Sequence, residues 1–136
     1  MAADSPKVAV FLHSGEYDRM HQGLSIAAAA VAAGRQAEVF VFWWALQRMA
    51  MGTLDEPDFG PGREEVGQRF ERRGLPTLRS LLQYLKESKL CAVYGCTGSL
   101  AAVVDEPPGM EPLLDGFLGW SAILRLTSGV ADRFYL

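Results

Sequence analysis

The chain contains two cysteines and two histidines, and the spacing of the cysteines already separates them. Cys91 and Cys96 enclose four residues within Leu90 to Val104, LCAVYGCTGSLAAVV. That is neither the C-x-x-C of a dithiol redox pair nor a zinc knuckle. The segment reads as a buried strand ending at Gly95 and Cys96, a turn through Thr97, Gly98 and Ser99, and a short apolar helix to Val104. Cys91 falls inside the strand, where a thiol behaves as a small hydrophobe. Cys96 falls at the strand end, where a parallel sheet presents its ligands and chemistry. A thiol at a helix start lies near unpaired N–H groups and the positive end of the helix dipole, both of which favour the thiolate. Thr97, Gly98 and Ser99 supply N–H and hydroxyl donors that could hold an anion or a persulfide. Cys96 is therefore the candidate nucleophile.

The better-known cysteine loops do not fit. A tyrosine-phosphatase loop needs Arg six residues after the cysteine, where Ala102 stands. A peroxiredoxin loop needs Thr three before and Pro seven before, where Val93 and Lys89 stand. There is no G-x-G-x-x-G after the first strand and no G-x-x-x-x-G-K anywhere, so a dinucleotide or ATP enzyme is not expected.

His13, just past the first strand, is expected to approach the thiol and assist it. Asp18, Arg19 and His21 are expected to stand further off. A metal site of His13, His21 and Cys96 lacks the spacing of a known ligand set, and neither a metal nor a cofactor is expected. Trp43 is a possible pocket residue, and Trp43 and Trp44 together suit core or subunit contact.

The elements that must position these residues alternate along the chain. KVAVFL (7–12) reads as a central strand, with Asp18 as the cap of the helix that follows. Leu24, Ala27, Ala28 and Val31 recur at helical spacing, and Gly34 ends that helix. Glu38 to Phe42 forms the second strand, completing a βαβ unit. Ala45 to Met51 makes one or two helical turns. Gly52 to Gly74 is rich in Gly, Pro and charge and reads as a long loop, lid or mobile insert, with a weaker helical pattern over Arg63 to Arg73. Leu78, Leu81, Leu82 and Leu85 mark the next helix. A short strand over Leu113 to Phe117, a helix from Trp120 to Leu126 and a closing strand, DRFYL, complete the chain. The expected fold is a three-layer α/β/α sandwich with a mainly parallel sheet of about five strands, a single domain over 1–136.

This succession resembles the DsrE/DsrF-like family, which includes sulfur-relay proteins of the TusD type. The resemblance is carried by KVAVFL and its polar loop, the Ala-rich helix, the EVFVFW strand, LCAVYGC with its small-residue turn, and ADRFYL. It implies a domain that assembles into homo-oligomers, a trimer or a multiple of it. It also implies that Cys96 carries sulfane sulfur as a persulfide between a donor and an acceptor protein. The alternative is a non-catalytic module of the same fold that holds a small ligand or a partner chain.

Composition narrows the partners. A formal net charge of −3 with interspersed signs offers no basic stripe for nucleic acid. The longest apolar runs fall short of a membrane span, and no signal-type segment opens the chain. A cytoplasmic protein with free thiols is expected.

Overall fold

The computed structural model describes residues 6–105 and 111–136. Five strands form one sheet in the order β4-β3-β2-β1-β5: β1 (Val8–Leu12), β2 (Ala37–Val41), β3 (Cys91–Cys96), β4 (Gly116–Leu118) and β5 (Asp132–Tyr135). Every pairing is parallel. Val10 lies opposite Val39 and Phe134, and Val41 lies opposite Gly95. The helices are α1 (Tyr17–Ala32), α2 (Trp43–Met51), α3 (Glu64–Arg72), α4 (Leu78–Ser88), α5 (Thr97–Val103) and α6 (Trp120–Leu126), with a 3-10 turn at Glu111–Leu113.

All five residues of β1 and of β2 are buried, as the central strands of a parallel sheet covered on both faces must be. Their side chains divide by alternation into two cores. Val8, Val10, Leu12, Ala37, Val39 and Val41 join the buried faces of α1, α2 and α4. Ala9, Phe11, Phe40 and Phe42 point the other way, where Ile123 and Leu126 of α6 meet them with Cys96. Helices therefore cover both faces, three or more on one and, among the described residues, a single seven-residue helix on the other.

Element boundaries follow local chemistry. In α1 the buried Tyr17, Met20, Leu24, Ala27 and Val31 keep the 3–4 spacing of one helical stripe. The cap position is Glu16 rather than Asp18. Asp18 sits in the first turn and its carboxylate accepts from the Arg19 N–H, so its charge serves the positive end of the helix instead of closing it. Beyond α1, Gly34 adopts φ 80° to turn the chain toward β2. At α4 the Thr77 side chain accepts from the Ser80 N–H, an N-cap bond.

The stretch from Gly52 to Gly74 is anchored rather than loose. Leu54 and Phe70 are buried in the larger core, and Phe59 packs against it. Phe70 and Phe59 meet the Tyr17 ring edge-on, at 5.9 and 5.4 Å between centroids. Tyr17 fastens the segment chemically: its hydroxyl donates to the Leu54 carbonyl (3.0 Å) and accepts from the Leu78 N–H (3.1 Å). One buried phenol thus ties α1 to the segment and to the start of α4.

Replacing Tyr17 by Phe keeps the ring and strands both backbone groups in the core. A loss of about 1–3 kcal/mol in unfolding free energy is expected, measurable by urea denaturation; a change within error would show that the bonds contribute nothing net.

Candidate functional site

The carboxyl ends of β1, β2, β3 and β5 meet around a cavity of about 550 Å³. Its lining brings together Phe11, His13 and Ser14 from the end of β1, Phe42 and Trp43 from the end of β2, and Cys96, Gly98 and Ser99 from the β3–α5 junction. Arg19, Trp120, Tyr135 and Leu136 complete it. At the carboxyl ends, β3 leads into α5 on one face of the sheet, whereas its neighbour β4 leads into α6 on the other. Divergence of neighbouring connections opens a crevice at this end of an open sheet.

The loop after β1 is pinned in place from three sides. The His13 and Ser14 N–H groups donate to the Leu136 backbone oxygen (2.7 and 3.2 Å), and the His13 carbonyl accepts from the Ala45 N–H (3.1 Å). The Arg48 Nε–H donates to the Gly15 carbonyl. A Cβ at Gly15 would come within 2.6 Å of the Trp44 carbonyl oxygen, so glycine is what lets this loop lie against α2. Those contacts hold His13 at the cavity mouth, exposed, with Trp43 on the same lining.

Four aromatic rings stand in near-parallel succession beside the cavity. Tyr135 stacks on Phe11 (4.6 Å, 11°), Phe11 on Phe42 (6.3 Å, 17°) and Phe42 on Trp120 (5.1 Å, 16°). Trp43 adds a fifth ring at 41% exposure, and its backbone has φ 40°. For a bulky side chain this left-handed conformation is strained and persists only when the surroundings impose it.

Cys96 lies in the cavity wall, 6% exposed, among Phe11, Phe40, Phe42 and Ile123. It is the last residue of β3 and the N-cap of α5, yet its side chain makes no capping hydrogen bond. The expected cradle of donors around the sulfur is thus reduced, and the sulfur is more enclosed than a strand-end position implies. Thr97 is exposed and outside the cavity lining. Ser99 is 2% exposed, lines the cavity, and its hydroxyl has no hydrogen-bond partner among the described residues. Gly98 is the neighbour of the sulfur on this wall, and a methyl added there would rest in ordinary contact with Sγ, at 4.0 Å.

Cys91 has a different setting. Burial, then the Asp115 and Glu38 carboxylates, push its thiol up to about 12, so it stays neutral and unreactive at physiological pH. Its neutral form contributes stability that is complete below the ordinary thiol value and is lost as pH rises toward about 12.

Of the residues singled out from sequence, His13, Trp43, Cys96, Gly98 and Ser99 share one cavity and Thr97 does not. Arg19 also lines the cavity, projecting from the first turn of α1 behind the β1 loop. His21 stands apart, with Nε2 against the Pro76 carbonyl (3.0 Å) and its ring edge-on to Phe70. Among the described residues no three His, Cys, Asp or Glu side chains are grouped as a metal site. Phe11, Phe42, Trp120 and Tyr135 were not candidates in the sequence. A faint signal existed in Phe11, Phe40 and Phe42, which place aromatic residues at alternate strand positions.

No protein-family model matches the chain, and no curated protein matches it.

The strain at Trp43 is testable through stability alone. Glycine inside a helix ordinarily costs about 1 kcal/mol relative to alanine. At position 43 the order is expected to reverse, with Trp43→Gly at least as stable as Trp43→Ala in urea denaturation, because glycine adopts this φ freely. An alanine variant about 1 kcal/mol the more stable would show the conformation to be unstrained.

Proposed function

We propose that the chain is a sulfur carrier of the DsrE/DsrF-like kind, holding sulfane sulfur as a persulfide on Cys96. The observation that carries this reading is the position of Cys96 in the wall of a strand-end cavity, beside an unpartnered Ser99 hydroxyl. Cys91 offers no competing nucleophile, since its neutral thiol is the wrong protonation state.

In the loading step the Cys96 thiolate attacks the outer sulfur of a donor persulfide. A new S–S bond forms on Cys96, the donor's S–S bond breaks, and the donor leaves as its thiolate, which takes up the proton Cys96 released. In the unloading step an acceptor thiolate attacks the same outer sulfur and Cys96 leaves. Both steps are exchanges between sulfur atoms and need no external oxidant or reductant. The Ser99 hydroxyl donates to the terminal sulfur, and His13 and Arg19 at the mouth favour an anion there.

The same reading includes a cytoplasmic setting that keeps both thiols free, a donor or acceptor protein, and assembly as a trimer or a multiple of it. Exposed Trp44, Met51 and Leu124 support burial against further copies. Among the described residues no helix is long and apolar enough to cross a membrane.

Incubation with inorganic polysulfide is expected to add the mass of one sulfur atom to the protein and to its Cys91→Ser variant, reversibly with a reductant, and not to Cys96→Ser. Equal gain by Cys96→Ser in mass spectrometry would end the proposal. Sedimentation at micromolar concentration should show an oligomer; a strict monomer would remove the assembly from it.

A further inference from the structure

We infer that the cavity beside Cys96 binds a small planar molecule with an aromatic or similarly apolar body and one anionic group. The inference rests on the sulfur-carrier reading for the molecule's role as sulfur donor or acceptor, and on the cavity alone for its binding.

Size is the first argument. The cavity holds about 550 Å³, whereas a persulfide's outer sulfur occupies roughly the room of one water molecule, ~30 Å³. Nearly all of the space is therefore left over after the cysteine is loaded, and its volume lies within the range of small-molecule sites, roughly 300–1,000 Å³.

The lining specifies the occupant's body. Phe11, Phe42, Trp43, Trp120 and Tyr135 surround the space, and the stacked succession from Tyr135 to Trp120 holds four of these rings within 17° of their neighbours. Such a wall suits an apolar, flat partner, which gains offset-stacked or edge contacts with several rings. Strain retained at Trp43 is consistent with a ring positioned for a ligand rather than for the core.

The polar atoms fix its one charge. Ser99 belongs to the lining, and its hydroxyl lies closed off behind that wall without a partner among the described residues, so the charge of the occupant is set by Arg19. Arg19 contributes a guanidinium whose carboxylate partner, Glu16, lies at 3.5 Å in an exposed pair. A pair of that kind is weak enough for an incoming anion to displace. Among the described residues neither Asp nor Glu lines the cavity, so the described wall holds no group that repels a negative charge.

Binding of 2-naphthoate and of its neutral counterpart 2-naphthamide, followed by calorimetry on Cys96→Ala protein, separates the components of the inference. The carboxylate should bind in the micromolar range and about threefold or more tighter than the amide, as one solvent-exposed charge contact allows. Arg19→Gln should bring the two ligands level, and Trp120→Ala, at an exposed position, should weaken both by up to about tenfold. No saturable binding of naphthoate, equal binding of the amide, or unchanged binding in Trp120→Ala would each overturn the inference. Because Cys96 is absent from the test protein, naphthoate binding without sulfur uptake by the natural chain removes only the sulfur reading, and sulfur uptake without naphthoate binding removes only this one.

Discussion

A parallel sheet buries both its faces, and in this chain the two are covered unequally. α1, α2 and α4 close one face with aliphatic side chains. Among the described residues the other receives a single helix of seven residues, which buries Ile123 and packs Leu126 against the sheet. What the helix leaves bare is covered by the sheet's own large rings, Phe11, Phe40, Phe42 and Tyr94, lying over one another at 5.2 to 6.3 Å. Rings reach further than aliphatic chains and stabilise one another beyond their buried area. The space they fail to fill at the strand ends is the cavity.

The chemistry of the site follows from that imbalance. Cys96 belongs to the thinly covered face, so its sulfur is enclosed by rings while remaining next to open space. Cys91, five residues earlier, is likewise shielded from water but lies beside two carboxylates that disfavour a further negative charge. The same strand therefore carries one cysteine with a cavity before it and one that is chemically silent.

Precision at the cavity mouth comes from the backbone. The loop after β1 is tied to Leu136 and to α2 through main-chain groups, and Gly15 permits the close approach that the latter requires. Trp43 tolerates an unfavourable φ because Phe42 before it continues the β2 alignment, its N–H bonded to the Leu12 carbonyl, and Ala45 after it is fixed to His13. On the far side of α1, Tyr17 performs a comparable task for residues 52–74. Three apolar side chains, one phenol and the Asp55 carboxylate, which accepts from Thr77 and Arg79, hold a segment there that is otherwise polar.

Periodicity alone determined the elements and their class. The unbroken apolar run of β1, the run of β2 interrupted only by Glu38, the helical spacing from Leu24 to Val31 and the four leucines of α4 each admit one reading, because each must match a buried surface. The strand-end position of Cys96 and the neighbourhood of His13 were legible for the same reason, since parallel strands place their carboxyl ends together. The anchoring of Gly52 to Gly74 was not legible, as Leu54, Phe59 and Phe70 are too widely spaced to show a period. Nor was the site's wall: Arg19, Trp120 and Tyr135 come from three separate elements, and only the strand order that seats β5 beside β1 brings them to Cys96. A side chain's direction along an element is local information, whereas the neighbours across a cavity depend on how far each helix extends over the sheet, which packing decides.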